Sequence, residues 1–206
     1  HALTIDTFEA FQFVSDDGTG EPPSSMSNPP GTIGPDGRAR EIFADKTNAE
    51  FGRARVDIAY ALFYTSEPGV LGQFSLDYVD LGGVDFSTAD GITITGTLDT
   101  SASGSGGSTI GLMLQDTALN QAFSSVTLTD ASFDHTFDFS DFAGVDLALI
   151  DHIRVGSFDA GGAMVDVPAG GDVTIVSLDA TNVPEPANLV VVARILLGAL
   201  VAGRFV

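Results

Sequence analysis

An antiparallel all-β body, a sandwich or jelly roll, is the fold class this sequence predicts, and three observations predict it. Apolar residues recur at every second position in short runs, the runs are separated by Gly, Pro, Asn and Asp, and no sustained helix-period segment precedes residue 186. Period two sends successive side chains to opposite faces of a sheet, so each run offers one face to a core and one to solvent.

Residues 1–14 carry Leu3 and Ile5, then Phe11 and Phe13, and read as an opening strand or two. Residues 15–37 hold Gly18, Gly20, Pro22, Pro23, Pro29, Pro30, Gly31, Gly34, Pro35 and Gly37. That punctuation predicts a long irregular loop, and such a loop is a functional or interface element. Val56, Ile58, Tyr60, Leu62 and Tyr64 form one alternating run, and Phe74, Leu76 and Tyr78 a second. Ile92 and Ile94 alternate with threonines, and the Gly/Ser stretch Ser101–Ser108 reads as a hairpin tip. Ile110, Leu112 and Leu114 come next, then Val126 and Leu128, then Phe133, Phe137 and Phe139. Runs at 145–155 and 173–178 complete the body, which is expected to occupy 1–182, with a separate tail at 183–206.

Composition narrows the function. The net charge is −20, from 8 basic and 28 acidic residues. Such a surface repels nucleic acid, because phosphate contacts need clustered Lys and Arg. It attracts divalent cations instead, and calcium is the cation its oxygen-rich loops would suit, with no cofactor required. Asp16 and Asp17, in the turn-like Asp16-Asp17-Gly18, are candidate ligands. With no cysteine, disulfides, thiolate metal sites and cysteine nucleophiles are excluded. The chain begins at His1 rather than Met, which reads as a mature N-terminus left after signal-peptide removal.

The most specific feature is Val183-Pro184-Glu185-Pro186 together with the apolar segment after it. Of the 20 residues 187–206, 17 are apolar or Gly, the exceptions being Asn188, Arg194 and Arg204. As a helix of about 30 Å they would match a bilayer core; the β-branched Val190, Val191, Val192 and Ile195 equally allow a strand donated to a neighbour. Val183 to Pro186 resemble the PEP-CTERM sorting signal of Gram-negative bacteria, in which a Pro-Glu-Pro motif precedes a transmembrane helix and a basic cluster. The resemblance implies export, recognition by an exosortase, membrane contact only through the tail, and a place at the cell surface or in a biofilm matrix. Only Arg204 stands where the basic cluster should be, and Arg194 interrupts the apolar segment.

Two segments of the body carry a second resemblance. Ile5-Asp6-Thr7-Phe8-Glu9 resembles the opening strand of jelly-roll, galactose-binding-like domains. Phe137–Val155 is similar to their closing strands, an aromatic-rich strand running into Asp-Leu-x-x-Ile-x-x-Ile. This implies a carbohydrate-binding-like sandwich, often with a structural calcium, and Glu9 matches the acid of the first strand. Sugar platforms commonly use exposed Trp or Tyr; there is no Trp here, and Tyr60, Tyr64 and Tyr78 all fall at the apolar phase of their runs, which predicts core packing.

Catalytic patterns are missing. No HExxH, no G-x-S-x-G elbow and no strand-following G-x-G-x-x-G occurs. Asp134, Asp138 and Asp141 flank His135, an arrangement that reads as the polar face of one strand. Arg38, Arg40, Lys46, Arg53 and Arg55 concentrate most of the body's positive charge. They are expected to pair with Glu41, Asp45 and Glu50, or to meet the acidic face of another copy.

The sequence therefore predicts a secreted, non-enzymatic structural protein of the cell surface or matrix, a homo-oligomer or filament. Its subunits would be joined through Leu189, Val191, Arg194, Leu196, Leu197 and Leu200 of the tail. The alternative is a carbohydrate-binding surface module, with a polysaccharide or covalent glycan as partner.

Overall fold

A computed structural model describes residues 3–33, 38–99, 107–129 and 131–181. The strands are β1 (Leu3–Asp6), β2 (Gln12–Asp16), β3 (Ser24–Ser27), β4 (Arg40–Lys46), β5 (Ala54–Ile58), β6 (Leu62–Ser66), β7 (Gly72–Tyr78), β8 (Gly91–Asp99), β9 (Ser108–Asp116), β10 (Gln121–Leu128), β11 (Ser132–Asp138), β12 (Ile150–Gly156) and β13 (Asp172–Thr181). The only helical element among the described residues is a 3₁₀ turn, Phe139–Asp141, capped by the Asp138 carboxylate.

Every strand pairing among the described residues is antiparallel, and the strands form two sheets packed as a sandwich. The first sheet runs β11-β8-β13-β6-β5-β2, with β1 also pairing β13; the second runs β10-β9-β12-β7-β4-β3. Alternation drives the packing. Ile92 and Ile94 of one sheet and Leu112, Leu76 and Val155 of the other are fully buried, while Thr93, His152 and Gln115 lie at the opposite phase. Tyr64 and Phe74 stack across the layers with ring centroids 4.9 Å apart.

The buried region also contains a charged network. Arg40 is fully buried; its Nη1 donates to Asp6 Oδ2 at 2.7 Å, its Nε to Gln12 Oε1 at 2.8 Å and its Nη2 to the Ala10 carbonyl at 2.6 Å. Tyr78 donates its hydroxyl to the same Asp6 oxygen at 2.8 Å, and Phe8 N donates to the other at 2.7 Å. The network ties β1, β2, β4 and β7 together.

Four sequence expectations change. The run 56–64 is not one strand: Ile58 pairs with Leu62, and Ala59, Tyr60 and Ala61 form the turn. A three-residue turn preserves the alternation, so the reversal is invisible in the periodicity. Tyr60, at φ 61°, is consequently 78% exposed, whereas Tyr64 and Tyr78 are buried as expected. The loop 15–37 contains a strand, β3, at the edge of the second sheet, where flanking prolines are tolerated. Bases of 38–55 do pair within the chain, but with other partners than Glu41, Asp45 and Glu50: Arg40 pairs with Asp6, Arg55 with Asp57, and Lys46 donates to the Asp17 carbonyl.

Candidate functional site

The outer face of the second sheet carries a polar row that the register builds. Met26 lies opposite Glu41, Glu41 opposite Asp77, Asp77 opposite Arg154, Arg154 opposite Met113, and Met113 opposite Phe123. Each is out of phase with core residues of its own strand, such as Ile42, Leu76, Val155 and Leu112. One step along the strands, Phe43, Ser75, Gly156, Gly111 and Ser125 form the next row; one step the other way, His152, Gln115 and Gln121 do.

The segment between β12 and β13 raises a wall on this face. Val167 N donates to Gly72 O at 2.8 Å, Gln73 Nε2 to Asp166 Oδ1 at 2.9 Å, and Val165 N to Ser157 O at 2.9 Å. Phe158 packs edge-on against Phe123, with centroids 6.1 Å apart. Gly111 is where close approach requires glycine, because a Cβ there would run into the Phe158 ring. Beneath the wall a groove of about 200 Å³ is lined by Glu41, Phe43, Ser75, Asp77, Arg154 and Met164.

Asp77 organises the groove. Its Oδ1 accepts from His152 Nε2 at 2.7 Å and from Arg154 Nε at 2.6 Å, and its Oδ2 accepts from Ser75 Oγ at 2.7 Å. The carboxylate is an acceptor, so the shared proton on His152 belongs to Nε2. Burial pushes the Asp77 carboxyl up, but the His152 bond, the Arg154 charge and the Ser75 bond together outweigh it and hold the carboxyl below its usual value. Arg154 spends only Nε on described residues, and its side chain is 39% exposed, leaving both terminal nitrogens available as oriented donors. Both Asp77 oxygens are committed, so this carboxylate positions its neighbours and is not placed to exchange protons with a ligand. The face thus combines fixed donors, the Glu41 acceptor and apolar patches from Phe43, Met164 and Phe123, with Met113 buried beneath it, the mixture found in small-molecule sites.

The predicted site residues lie elsewhere. Val183, Pro184, Glu185 and Pro186, and the tail positions Leu189, Val191, Arg194, Leu196, Leu197 and Leu200, are outside the described residues. Glu9 is exposed on the loop after β1. Asp16, buried at the end of β2, accepts from Gly18 N at 2.9 Å and Lys46 N at 2.7 Å; Asp17 accepts from Thr19 N at 3.1 Å and Thr19 Oγ1 at 2.6 Å. Asp17 serves its local turn and Asp16 ties its turn to β4, and among the described residues no three His, Cys, Asp or Glu side chains are grouped as metal ligands. Asp134 and Asp138 are exposed on the strand's polar face as expected, but His135 does not share it: it lies in phase with buried Phe133 and Phe137 and packs edge-on against Phe137.

Sequence reading missed the Asp77 cluster. The signal present was Ile150-Asp151-His152-Ile153-Arg154-Val155, which sets His152 and Arg154 on one polar face. The missing information was the pairing of β12 with β7, which supplies Asp77.

No family model matches the sequence, and no curated protein matches it. Among solved structures, the chain is similar to the family 11 carbohydrate-binding module of the cellulosomal cellulase Lic26A-Cel5E of Clostridium thermocellum. That likeness has 15% identity, spans 90% of this chain and 97% of that one, and has a TM-score of 0.44. A family 30 carbohydrate-binding module is 13% identical over 90% of each chain, at a TM-score of 0.46. TmCBM61, solved with β-1,4-galactotriose, is 13% identical over 84% of this chain and 88% of its own, at 0.36.

Proposed function

We propose that this chain is a non-catalytic binding module that holds a neutral polysaccharide along the outer face of its second sheet. The observation that carries the reading is Arg154, fixed by the buried Asp77 carboxylate with its terminal donors available, in a groove it shares with Glu41, Phe43 and Met164. Neighbouring strands are about 4.8 Å apart, comparable to the length of one pyranose ring, so successive strands meet successive sugars of an extended chain. Hydroxyls need donors and acceptors together, and Arg154, His152 and Gln115 beside Glu41 provide both. The local charges of Arg154 and Asp77 compensate, and the chain's net charge of −20 disfavours a polyanion. A polysaccharide ligand suits a protein outside the cell, in agreement with the matrix or surface location expected from the sequence.

Affinity electrophoresis of the full chain through gels containing hydroxyethylcellulose, β-1,4-galactan or agarose tests the proposal. Retardation in at least one gel is expected, and Arg154→Ala should weaken it by roughly tenfold or more, as for a central anchor. Free migration of the wild-type chain in every gel would refute it. Assembly through the tail is a separate proposal, tested by electron microscopy of 1–206 beside 1–182. Filaments from the longer chain alone would support it, and filaments from both, or from neither, would refute it.

A further inference from the structure

A second cleft lies away from the sheet face, between the loop after β2 and the loop joining β4 to β5. It has a volume of about 740 Å³, within the range of roughly 300–1,000 Å³ common for ligand sites. Phe51 stands on its lining and is 99% exposed, although phenylalanine is ordinarily a core residue. The loop that presents it is anchored. Asn48 Nδ2 donates to Gly69 O at 2.8 Å, Thr47 N to Leu71 O at 3.0 Å, and Glu67 N to Arg53 O at 3.0 Å. Gly52 has φ 134°, and a side chain there would press on Glu67 and Val70, so the chain passes close to the β6–β7 turn immediately after Phe51. Facing this loop, Asp17 is held by Thr19, and Lys46 Nζ donates to the Asp17 carbonyl at 3.2 Å.

One polar atom of the loop lies sealed beneath the surface, out of reach of the cleft. Asn48 Oδ1 is buried and accepts no hydrogen bond among the described residues. The lining charges are mixed, Lys46 and Arg53 against Asp17, Glu50 and Glu67. A flat exposed apolar ring beside mixed charge fits a ligand with an apolar C–H face, hydroxyl groups and no net charge. We propose that this cleft is a second saccharide site, in which a neutral pyranose stacks on Phe51 and exchanges hydrogen bonds with the charged side chains around it. The cleft shares no residue with the groove of the second sheet, so the two sites stand or fall separately. If both operate, one molecule can bridge two polysaccharide chains, and avidity arises without any new contact.

The test is amide-resolved NMR of the full chain, titrated separately with glucose, galactose and mannose to their solubility limits. The expected result is a saturable shift at Thr19, Phe51 and Gly52 with at least one sugar, unchanged by Arg154→Ala and weakened about tenfold by Phe51→Ala, as for an aromatic anchor. Phe51 is exposed, so its removal does not threaten the fold. Phe51→Trp provides a second readout: it retains the platform and introduces the only indole in the chain, whose fluorescence should change with the same sugar. No saturable shift at these amides with any of the three sugars, or a shift that survives Phe51→Ala unaltered, overturns the proposal. Shifts confined to Phe43, Ser75 and Met164 would overturn this site while supporting the groove. Shifts confined to Thr19, Phe51 and Gly52, with no retardation in any gel, would do the reverse.

Discussion

At the scale of single residues, carboxylates do most of the structural work, and their environments set opposite pH behaviour. Asp116 is buried and accepts from the N–H groups of Asp146, Asn120 and Ala118 and from the Asn120 side chain, contacts that hold its carboxyl below the usual value. Its contribution is complete above the unfolded carboxylate pKa of about 3.9 and is lost as pH falls through the depressed folded value. Asp45 is the converse: burial, then the nearby Asp16 charge, raises its carboxyl, so it favours the folded state in acid and opposes it as pH rises through the unfolded and then the raised folded value. Thermal melts should therefore show Asp116→Asn lowering Tm at pH 7 and having less effect at pH 3, and Asp45→Asn raising Tm at pH 7 with little effect at pH 3. Identical shifts at both pH values would contradict this account. The buried Arg40–Asp6 pair makes a sharper case. Removing one partner leaves an uncompensated buried charge, so Asp6→Ala should destabilise by about 3–5 kcal/mol in urea unfolding. A loss below about 1 kcal/mol, typical of an exposed pair, would show that Arg40 finds another partner. None of these partnerships was legible beforehand: Asp6 and Arg40 are separated by 34 positions, and only the folded sheets bring them together.

At the scale of elements, the sequence revealed strands well and connections poorly. Alternation located β7, β8, β9 and β13, because each has one face in the core and period two records that directly; β4 went unread, although Ile42 and Ala44 alternate into the core. It failed at the Tyr60 turn, whose odd length keeps the phase, and at β3, whose Ser-Ser-Met-Ser sequence buries no large side chain. The 145–155 run was half right: β12 begins only at Ile150, because 139–149 holds the 3₁₀ turn and the irregular segment after it, which closes the end of the sandwich. The wall from Ser157 to Val167 carried no strand period, yet it frames the groove. Its dependence on Gly111 gives an element-level prediction. Gly111→Val sets a branched side chain under Phe158, and overpacking of this kind costs about 1–3 kcal/mol. The wall should lift, so polysaccharide retardation should fall by a larger factor than the loss of stability alone accounts for at temperatures where the variant is folded. Unaltered retardation with a folded Gly111→Val chain would show that the wall does not shape the groove.

At the scale of the whole molecule, the two proposed sites and the charge balance make linked demands on solution behaviour. A net charge of −20 repels itself in the compact state, and added salt screens that repulsion. Ionic strength of about 0.15 M shortens the Debye length to about 8 Å, so Tm at neutral pH should rise as sodium chloride is added from low ionic strength and then level off. The same salt series discriminates between ligand classes. A neutral polysaccharide held by Arg154, His152 and Glu41 binds through short hydrogen bonds and apolar contact, neither of which reaches far enough to be screened. Retardation in hydroxyethylcellulose, galactan or agarose should therefore change little across the series, whereas a polyuronate gel should retard the chain weakly at any salt and least at low salt, where repulsion is unscreened. Strong low-salt retardation by the polyuronate that disappears on adding salt would mean that local cations outweigh the global charge. It would move the ligand assignment from neutral to acidic polysaccharide while leaving the groove as its place.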